Sequence, residues 1–442
     1  MAEQMKPSGI DWIKDIPSSW EINKVKYLAT EPGTLFLDGD WIESDVIEES
    51  GIRYLTTGNV GAGFYKEQGS GYISEKTFSE LHCLNVYPGD LMISRLNEPI
   101  GRSCIIPDTE SRYVVAVDNV ILRPNANYNK KFIMYGMNAD GYAEHANMIA
   151  RGATMSRISR SQLGQFWLAF PNIEEQQAIA DFLDKECTQI DSIAADLERQ
   201  IALLQQYKKS LITETVTKGL DKSVPMKDTG VEWIGQIPEH WDVEPIKYRV
   251  TFHNGDRGEN YPTKSELQSE GIPFINAGHL EGDGLNMANM DYISEEKYRI
   301  MGGVKLRSGD ILYCLRGSVG KNAIVDMNQG TVASSLVAIR SVRISAEYLY
   351  YCLNSHIEEV QRYWWDNGTA QPNLSADNLG KYKICIPPVE EQKAIVKYLN
   401  NICPQIDNLI IGKKKQLSTI QQHKKSLIYE YVTGKKRVKE VR

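Results

Sequence analysis

Polar side chains in several loops of this chain carry the hydrogen-bonding groups that read nucleic-acid bases. Arginine can donate two parallel hydrogen bonds to guanine, asparagine and glutamine suit adenine, and lysine suits phosphate. The residues occur at matching places in two sets of loops: LTTGNV and INAGHL, SRLNEPIGR and CLRGSVGK, RGATMSRISR and NGTAQPNLS. The candidate base-contacting residues are Thr56, Thr57, Asn59, Arg95, Asn97, Arg102, Arg151, Arg157 and Arg160, then Asn276, His279, Arg316, Ser318, Lys321, Thr369, Gln371 and Asn373. For any single one, an ordinary polar surface loop is an equally good interpretation.

Chemistry beyond binding has no comparable motif. The only Pro-Pro pair, Pro387 and Pro388, leads into a predicted helix and does not follow the Asn or Asp of an adenine-methylating motif. VGAGFY (60–65) lacks a paired acidic residue, and LRGSVGKN (315–322) has Leu and Asn where a phosphate-binding loop needs Gly and Ser or Thr. The seven histidines show no metal-ligand spacing. We therefore predict no catalytic residue and no metal site. A self-contained DNA methyltransferase or nuclease with a divergent site stays an alternative, as does a protein-binding coiled-coil scaffold.

The matching loops belong to two copies of one sequence unit. PNIEEQQAI from Pro171 matches PPVEEQKAI from Pro387, 216 positions later, and QQYKKSLI matches QQHKKSLI in the same register. Nearer the start of each copy, IPSSW (16–20) matches IPEHW (237–241). A period of this length excludes the short-repeat arrays of solenoid proteins. The chain is therefore predicted to fold as two similar halves.

A long helix is predicted at the end of each copy, because apolar residues recur there with coiled-coil spacing. The predicted seam residues are Leu183, Ile190, Leu197, Leu204 and Leu211 in the first helix and Leu399, Ile406, Ile410, Leu417, Ile420 and Leu427 in the second. Lys413 interrupts the second seam. A helix of about 45 residues is far longer than the average helix. We therefore expect the two helices to cover each other, and to run antiparallel if a pseudo-two-fold axis relates the copies.

The regions before the helices, 9–165 and 230–381, lack long helical periodicity. Short apolar runs such as GDLMISRL and GDILYCLRG, separated by Gly, Asn and Asp, predict strands. Each region is therefore predicted to be a β-rich α/β domain.

Composition fits two folded domains without disulfides. The chain has 442 residues, of which 42% are hydrophobic and 24% charged, and its net charge is −7. Any nucleic-acid surface must therefore be local. Seven cysteines without a CxxC pair indicate neither a disulfide framework nor a zinc site. No apolar run reaches the ~18 residues of a membrane span, so we expect a soluble protein that is not exported.

The ordered set of motifs resembles the specificity subunit of type I restriction-modification enzymes. The set comprises IPSSW and IPEHW, PGDLMIS and SGDILYC, GATMSRIS and GTAQPNLS, and the two helices that open on EEQ and contain KKSLI. This resemblance covers essentially the whole chain. It implies an α+β fold in which two β-rich α/β target-recognition domains stand in tandem. Each is followed by a long helix, and the two helices form an antiparallel coiled coil.

The resemblance also implies where the domains begin and end. The implied bounds are 1–170 for target-recognition domain 1, 171–220 for long helix 1, 221–386 for target-recognition domain 2, 387–435 for long helix 2 and 436–442 for a basic tail.

The function implied by the resemblance is recognition of a bipartite DNA target without catalysis by this chain. The implied partners are double-stranded DNA, two modification subunits that methylate adenine, and restriction subunits, with no membrane. S-adenosylmethionine, ATP and magnesium would belong to those subunits, with no cofactor in this chain, and the location would be cytoplasmic. Partner subunits that embrace the DNA would neutralise phosphates, which makes an acidic specificity subunit workable.

Overall fold

Short antiparallel strands with turns between them make up most of the region before each long helix. The computed structural model describes residues 4–69, 71–150, 156–281, 284–365 and 373–438. The chain divides into two compact units, Met1–Leu197 with Lys415–Arg442, and Glu198–Lys414. Each long helix therefore contributes one segment to each unit.

The first unit takes its strands from the first half of the chain. They are β1 (Met5–Ile10), β2 (Lys14–Pro17), β3 (Glu21–Lys24), β4 (Leu35–Asp38), β5 (Ile52–Leu55), β6 (Tyr72–Ile73), β7 (Leu91–Ser94), β8 (Ser103–Ile105), β9 (Tyr113–Val115), β10 (Asn119–Arg123) and β11 (Trp167–Phe170). The helices that begin in this half are α1 (Glu75–Glu80), α2 (Lys130–Met137), α3 (Asp140–Ile149), α4 (Arg160–Leu163) and α5 (Ile173–Lys218).

A four-stranded antiparallel sheet in the order β4-β10-β7-β8 lies at the centre of the first unit. Side chains of β10 alternate between its faces. Val120 and Leu122 pack in the core around Trp20, and Ile121 packs in a separate cluster on the other side. A smaller sheet, β6-β5-β9, includes a parallel pair. Both faces of the sheet are therefore packed at β10, and the polar residues Ser94 and Asn119 stand at the ends of its strands.

The second unit takes its strands from the second half. They are β12 (Met226–Asp228), β13 (Gln236–Pro238), β14 (Asp242–Pro245), β15 (Val250–Asn254), β16 (Ile272–Ile275), β17 (Leu280–Glu281), β18 (Gly284–Leu285), β19 (Asp291–Ile293), β20 (Ile311–Cys314), β21 (Asn322–Ile324), β22 (Thr331–Val332), β23 (Leu336–Ser341) and β24 (Lys383–Ile386). The helices that begin here are α6 (Glu295–Ile300), α7 (Ala346–Leu353), α8 (His356–Trp365), α9 (Ala376–Gly380) and α10 (Val389–Val432).

The sheets of the first unit recur in the second. Its central sheet has the order β15-β23-β20-β21, and its smaller sheet, β19-β16-β22, again contains one parallel pair. The hairpin β17–β18 corresponds to a single antiparallel bridge between Val60 and Tyr65 in the first unit. The duplication read in the sequence is thus a duplication of sheet topology, and the prediction of β-rich α/β domains followed by long helices is confirmed.

The two long helices pair antiparallel inside each unit. In the first unit the Lys424 ammonium lies 2.6 Å from the Asp191 carboxylate, and the Phe182 and Tyr431 rings are 4.6 Å apart between centroids. Positions rise along α5 as they fall along α10. In the second unit the Lys208 ammonium lies 2.8 Å from the Asp407 carboxylate. The antiparallel pairing expected from the sequence is therefore present in both units.

Burial varies along the predicted seam. Leu183, Ile190, Leu197, Leu399, Ile406, Ile410 and Leu427 are buried, whereas Leu204, Leu211, Leu417 and Ile420 are half-buried. Close to the end of α5, Ile212 and Val216 are buried in the core of the second unit. The helix turns a different face inward there, because it packs on a domain and not only on another helix.

The tryptophans of IPSSW and IPEHW pack against the C-terminal ends of the long helices. Trp20 and Trp241 are fully buried. Gly434, which ends α10, has φ +70°, and a Cβ atom there would lie 2.4 Å from the Pro17 ring. Gly219, which follows α5, has φ +69°, and a Cβ atom would lie 3.0 Å from the Trp241 ring. Each glycine therefore provides the left-handed helix stop and the close approach together.

The glutamine of the EEQ motif fixes the start of each long helix. The buried Gln176 donates to the Pro171 carbonyl at 2.9 Å and accepts from the Asn129 N–H at 2.9 Å. The buried Gln392 likewise donates to the Pro387 carbonyl at 2.9 Å and accepts from the Ser345 N–H at 3.0 Å. The repeated motif thus joins the helix to its own domain through an amide that satisfies buried backbone groups.

Candidate nucleic-acid interface

Loops from three of the sequence motifs meet at one end of the central sheet of the first unit. The loop of SRLNEPIGR leaves β7, and its Leu96 forms a backbone bridge with Arg157 of the SRIS segment. The Arg102 guanidinium donates to the carbonyl of Thr57, in LTTGNV, at 3.0 Å. Residues far apart in sequence therefore form one surface.

Arg102 is a structural residue of this surface. Besides Thr57, its guanidinium donates to the carbonyls of Val60 at 2.8 Å, Asn97 at 2.9 Å and Leu96 at 3.1 Å. Desolvation by burial lowers the pKa of its side chain. In this conformation its donors close the loop, so Arg102 shapes the surface, and its contact with DNA stays a prediction.

Arg95 is bonded within the protein as well, and its contact with DNA likewise stays a prediction. Its side chain is 7% exposed and donates to the carbonyls of Ile158 at 3.1 Å and Val117 at 2.6 Å. Its Nε lies 3.1 Å from the Asp38 carboxylate, and Asp118 lies 3.9 Å from its Nη2. Burial lowers the pKa of Arg95 even though both carboxylates oppose that change. A base could reach this guanidinium only if the loops opened.

The LTTGNV loop is built around a buried amide. Asn59 is 1% exposed, donates to the carbonyls of Lys66 and Gln68, and accepts from the Thr56 N–H at 2.8 Å. The Thr56 hydroxyl accepts from the Gly58 N–H at 3.3 Å. Asn59 therefore shapes the loop, and both ends of its side-chain amide are bonded within the protein in this conformation. Base contacts by this loop stay a prediction. Thr57 is half-buried, and only Thr56 of the three is exposed.

Two arginines at the rim keep guanidinium surface exposed. Arg157 is 51% exposed and lies 2.6 Å from the Asp118 carboxylate. Arg160, the first residue of α4, is 39% exposed and lies 3.4 Å from the Asp38 carboxylate. Together with the buried Arg95, these four residues form what we name the Asp-Arg cluster. Asn97, exposed at the tip of the neighbouring loop, donates its backbone N–H to the Ser156 carbonyl.

The two aspartates of the Asp-Arg cluster were missed by sequence reasoning. Asp38 ends β4 and Asp118 precedes β10, so they are 80 positions apart and are joined only by strand pairing. No motif or periodicity links them. Only the pairing of β4 with β10 brings both aspartates beside Arg95.

The second unit repeats the arrangement with different side chains. Arg316 forms a backbone bridge with Asn373, at the place where Leu96 and Arg157 meet in the first unit. Arg316, Ser318 and Lys321 are exposed on the loop after β20, and Asn373 is exposed beside it. These four candidates therefore lie on one accessible surface.

Asn276 and His279 bond to each other within their loop as Thr56 and Asn59 do, and their contact with DNA stays a prediction. His279 is 5% exposed, and its Nδ1 accepts from the Asn276 N–H at 3.1 Å. The Asn276 side chain accepts from the Gly278 N–H at 2.8 Å and donates to Asp291 at 3.0 Å. The pair closes a turn. Three further candidates, Arg151, Thr369 and Gln371, lie outside the described residues.

A buried polar group supports the recognition loop of the second unit. The Tyr313 hydroxyl donates to Glu358, and the Arg362 Nε lies 3.1 Å from the same carboxylate. Arg362 covers Gly320 of the loop, where an added Cβ would come within 2.7 Å of its Nε. Burial is the largest cause that raises the pKa values of Glu358 and Tyr313. Sequence reasoning missed this group too, because its members lie on separate elements.

Within the described ranges, no group of three or more His, Cys, Asp or Glu side chains is arranged to hold a metal ion. In the same part of the chain, no helix has both the length and the apolar character of a membrane span.

The family model for the type I restriction modification DNA specificity domain matches the chain twice, at residues 21–202 and 239–419. The chain belongs to this family. It is a specificity subunit of a type I restriction-modification system, and its function is recognition of a DNA target. The two matches coincide with the two copies of the loop surface. That arrangement fits a target in two parts, and it does not favour a self-contained enzyme or a scaffold.

Several curated relatives of this specificity subunit carry the same description. It is 27% identical to the putative type I restriction enzyme MjaX specificity subunit of Methanocaldococcus jannaschii, over 84% of this chain and 83% of the relative. It is 23% identical to the MjaIX specificity subunit of the same organism, over 97% and 96%. It is 24% identical to the EcoBI specificity subunit of Escherichia coli, over 70% and 66%.

A solved structure shares the fold. Its description is "Structural basis underlying complex assembly and conformational transition of the type I R-M system". The TM-score is 0.67 at 15% identity, and the match covers 94% of this chain and 98% of that one.

Proposed function

We propose that this chain is the non-catalytic reader of a type I restriction-modification complex, in which each unit contacts one block of a split DNA target. The duplicated loop surface carries the proposal. In each unit the loop after the third strand of the central sheet forms a backbone bridge to the segment before a short helix. The same scaffold therefore presents two different sets of exposed polar side chains, as reading of two different sequences requires.

The proposed partners are two modification subunits and the restriction subunits. The modification subunits would supply S-adenosylmethionine and the adenine-methylating site, and the restriction subunits would supply ATP-driven cleavage with magnesium. This chain would need no cofactor of its own. The solved structure that shares its fold is described by complex assembly of a type I R-M system, which supports assembly with partner subunits.

The acidity of the chain supports a shared DNA interface. Its net charge of −7 opposes the phosphate contacts that provide most non-specific affinity. The isolated chain should therefore bind DNA weakly, and binding should strengthen when modification subunits are added. Fluorescence anisotropy with a target duplex over a salt series tests this. Tight binding by the chain alone, insensitive to salt, would contradict the proposal.

Single-molecule sequencing of methylated bases tests the function itself. A host expresses a candidate modification subunit with and without this chain. Methyladenine at one split motif, present only when the chain is present, is the expected result. If the modification subunit is active with another specificity subunit but no motif depends on this chain, the proposal is overturned. Exchange of residues 1–170 for another such domain should change one block of the motif and keep the other.

A further inference from the structure

Every position of the Asp-Arg cluster in the first unit has an equivalent backbone position in the second unit, but the side chains there are different. The Arg95 N–H donates to the Asp118 carbonyl at 2.9 Å, and the Leu315 N–H donates to the Ser335 carbonyl at 2.8 Å. The bridges Leu96–Arg157 and Arg316–Asn373 show that Arg157 corresponds to Asn373. The pairings of β4 with β10 and of β15 with β23 show that Asp38 corresponds to Asn254. The equivalent pairs, first unit then second, are Arg95 and Leu315, Asp118 and Ser335, Asp38 and Asn254, Arg157 and Asn373, and Arg160 and Ala376.

Three arginines and two aspartates in the first unit thus correspond to five uncharged residues in the second. Since the backbone is the same, the fold does not require these charges at this place. Charges that the fold does not require are either incidental or serve a function.

Within the Asp-Arg cluster, Arg157 is ion-paired to the protein and still partly exposed to a ligand. The buried Arg95 lies between Asp38 and Asp118, 3.1 Å from the first carboxylate and 3.9 Å from the second. Asp118 in turn holds Arg157 at 2.6 Å, while 51% of the Arg157 side chain stays exposed. A guanidinium has five N–H donors, and one carboxylate engages at most two of them. The remaining donors of Arg157 can meet a ligand with little further loss of side-chain entropy.

We propose that Arg157, positioned by Asp118, reads a guanine in the DNA block that the first unit contacts. Arginine pairs with guanine O6 and N7 through two parallel hydrogen bonds, and this contact discriminates strongly against other bases. The inference rests on the proposed function, because it names one base within the target of the same surface. In the second unit the equivalent position carries the amide of Asn373, so the two blocks are read there by different chemistry.

A phosphate contact is the competing use of the same guanidinium. Such a contact would add affinity without choosing a sequence, and its loss would weaken binding equally at all targets. The ion pair with Asp118 favours base reading, because it restricts the planar guanidinium that bidentate pairing with guanine needs, whereas a flexible cation suffices for a phosphate.

The test compares methylated motifs in hosts that express the full chain with its modification subunit. The variants are Arg157→Ala, Arg157→Lys and Asp118→Asn, with Asn373→Ala as the matched control in the second unit. We expect the wild-type motif to contain guanine in one block. Arg157→Ala should accept other bases at that position, with discrimination reduced roughly 5-fold to 150-fold, and it should leave the other block unchanged.

The companion variants separate the roles of charge and orientation. Arg157→Lys keeps the charge but not the planar fork, so it should also relax the position. Asp118→Asn should relax it less, because Arg157 keeps its donors but loses part of its support. Asn373→Ala should leave the block that contains this guanine unchanged.

Each other outcome identifies what has failed. A wild-type chain that directs no motif overturns the proposed function, and the inference with it. A wild-type split motif that keeps the same bases in Arg157→Ala, or that is methylated uniformly less, overturns the inference alone. If Arg157→Ala gives no methylation because it does not fold, Arg157→Lys decides: an unchanged motif overturns the inference, and a relaxed one supports it.

Discussion

The two units place their buried charges at different positions around the same loop. In the first unit the charges lie beside the loop, where Arg95 meets Asp38 and Asp118, and the space beneath it is filled by the Tyr142 ring. In the second unit the place beside the loop is uncharged, and the space beneath it holds Glu358 with Arg362.

The difference shows that a duplicated scaffold exchanges side chains in sets. Glu358 is equivalent to Tyr142, and Arg362 to Ala146, by their positions in α8 and α3. A single charge introduced into either space would be buried without a partner, which costs several kcal/mol. Complete groups of opposite charges avoid that cost. The units could therefore diverge in what they read while they kept the same strands.

The largest effect is expected from breaking the group beneath the loop of the second unit. Glu358→Ala leaves Arg362 and the Tyr313 hydroxyl without their acceptor, at a cost of about 3–5 kcal/mol. Urea unfolding, with hydrogen exchange to locate the change in the second unit, measures it. The matched change in the first unit, Tyr142→Phe, removes a fully buried hydroxyl that has no hydrogen-bond partner among the described residues, so stability should stay within about 1 kcal/mol. Equal losses in both variants would contradict the comparison.

Transplanting the second unit's residues into the Asp-Arg cluster sharpens the comparison. Arg95→Leu alone removes the cation between Asp38 and Asp118, and the free energy of unfolding should fall by about 3 kcal/mol. The triple variant Asp38→Asn, Arg95→Leu, Asp118→Ser copies the whole set and should recover most of that loss. Urea unfolding of the single, double and triple variants measures the coupling free energy among Asp38, Arg95 and Asp118. A triple variant less stable than Arg95→Leu would disprove the idea that the three side chains are exchangeable only together.

The helix stops provide a smaller contrast. Alanine at Gly434 must adopt φ near +70° and would meet the rigid Pro17 ring at 2.4 Å, whereas at Gly219 the nearest atom is 3.0 Å away. The left-handed conformation costs roughly 1–2 kcal/mol in both variants. The closer contact should add about 1–2 kcal/mol for Gly434→Ala. Thermal unfolding of the two variants measures the difference, and a greater loss in Gly219→Ala would show that the contact distances do not decide it.

The smallest expected effect is a pH dependence confined to the second unit. Burial raises the pKa of Glu358 above its ordinary value of 4.5, against the opposing influence of Arg362, Lys209 and the Tyr313 hydroxyl. The folded state therefore binds a proton more readily than the unfolded state. This contribution to stability is complete below pH about 4.5 and is lost as the pH rises through the folded pKa. Urea unfolding from pH 4 to 8 should show it in wild type and not in Glu358→Gln. An identical pH profile in the two would contradict the burial argument.

Sequence alone determined the features that depend on repetition and local pattern. The heptad spacing predicted two long helices, and the matched motifs predicted two copies of one domain. These features follow from neighbours in sequence, where periodicity reports burial directly. Pro404 lies inside α10, so packing of the surrounding helix outweighs the one hydrogen bond that proline removes.

Tertiary structure decided which polar residues are available to DNA. Arg95, Arg102, Asn59 and His279 have the same side-chain chemistry as true base contacts, yet they are used inside the loops. Arg157 and Arg316 remain accessible. The reason is that a polar group buried by folding must find its partners within the protein, and those partners, such as Asp38 and Asp118, come from strands distant in sequence. Composition can supply hydrogen-bonding groups, but only the pairing of strands determines which of them the protein uses itself.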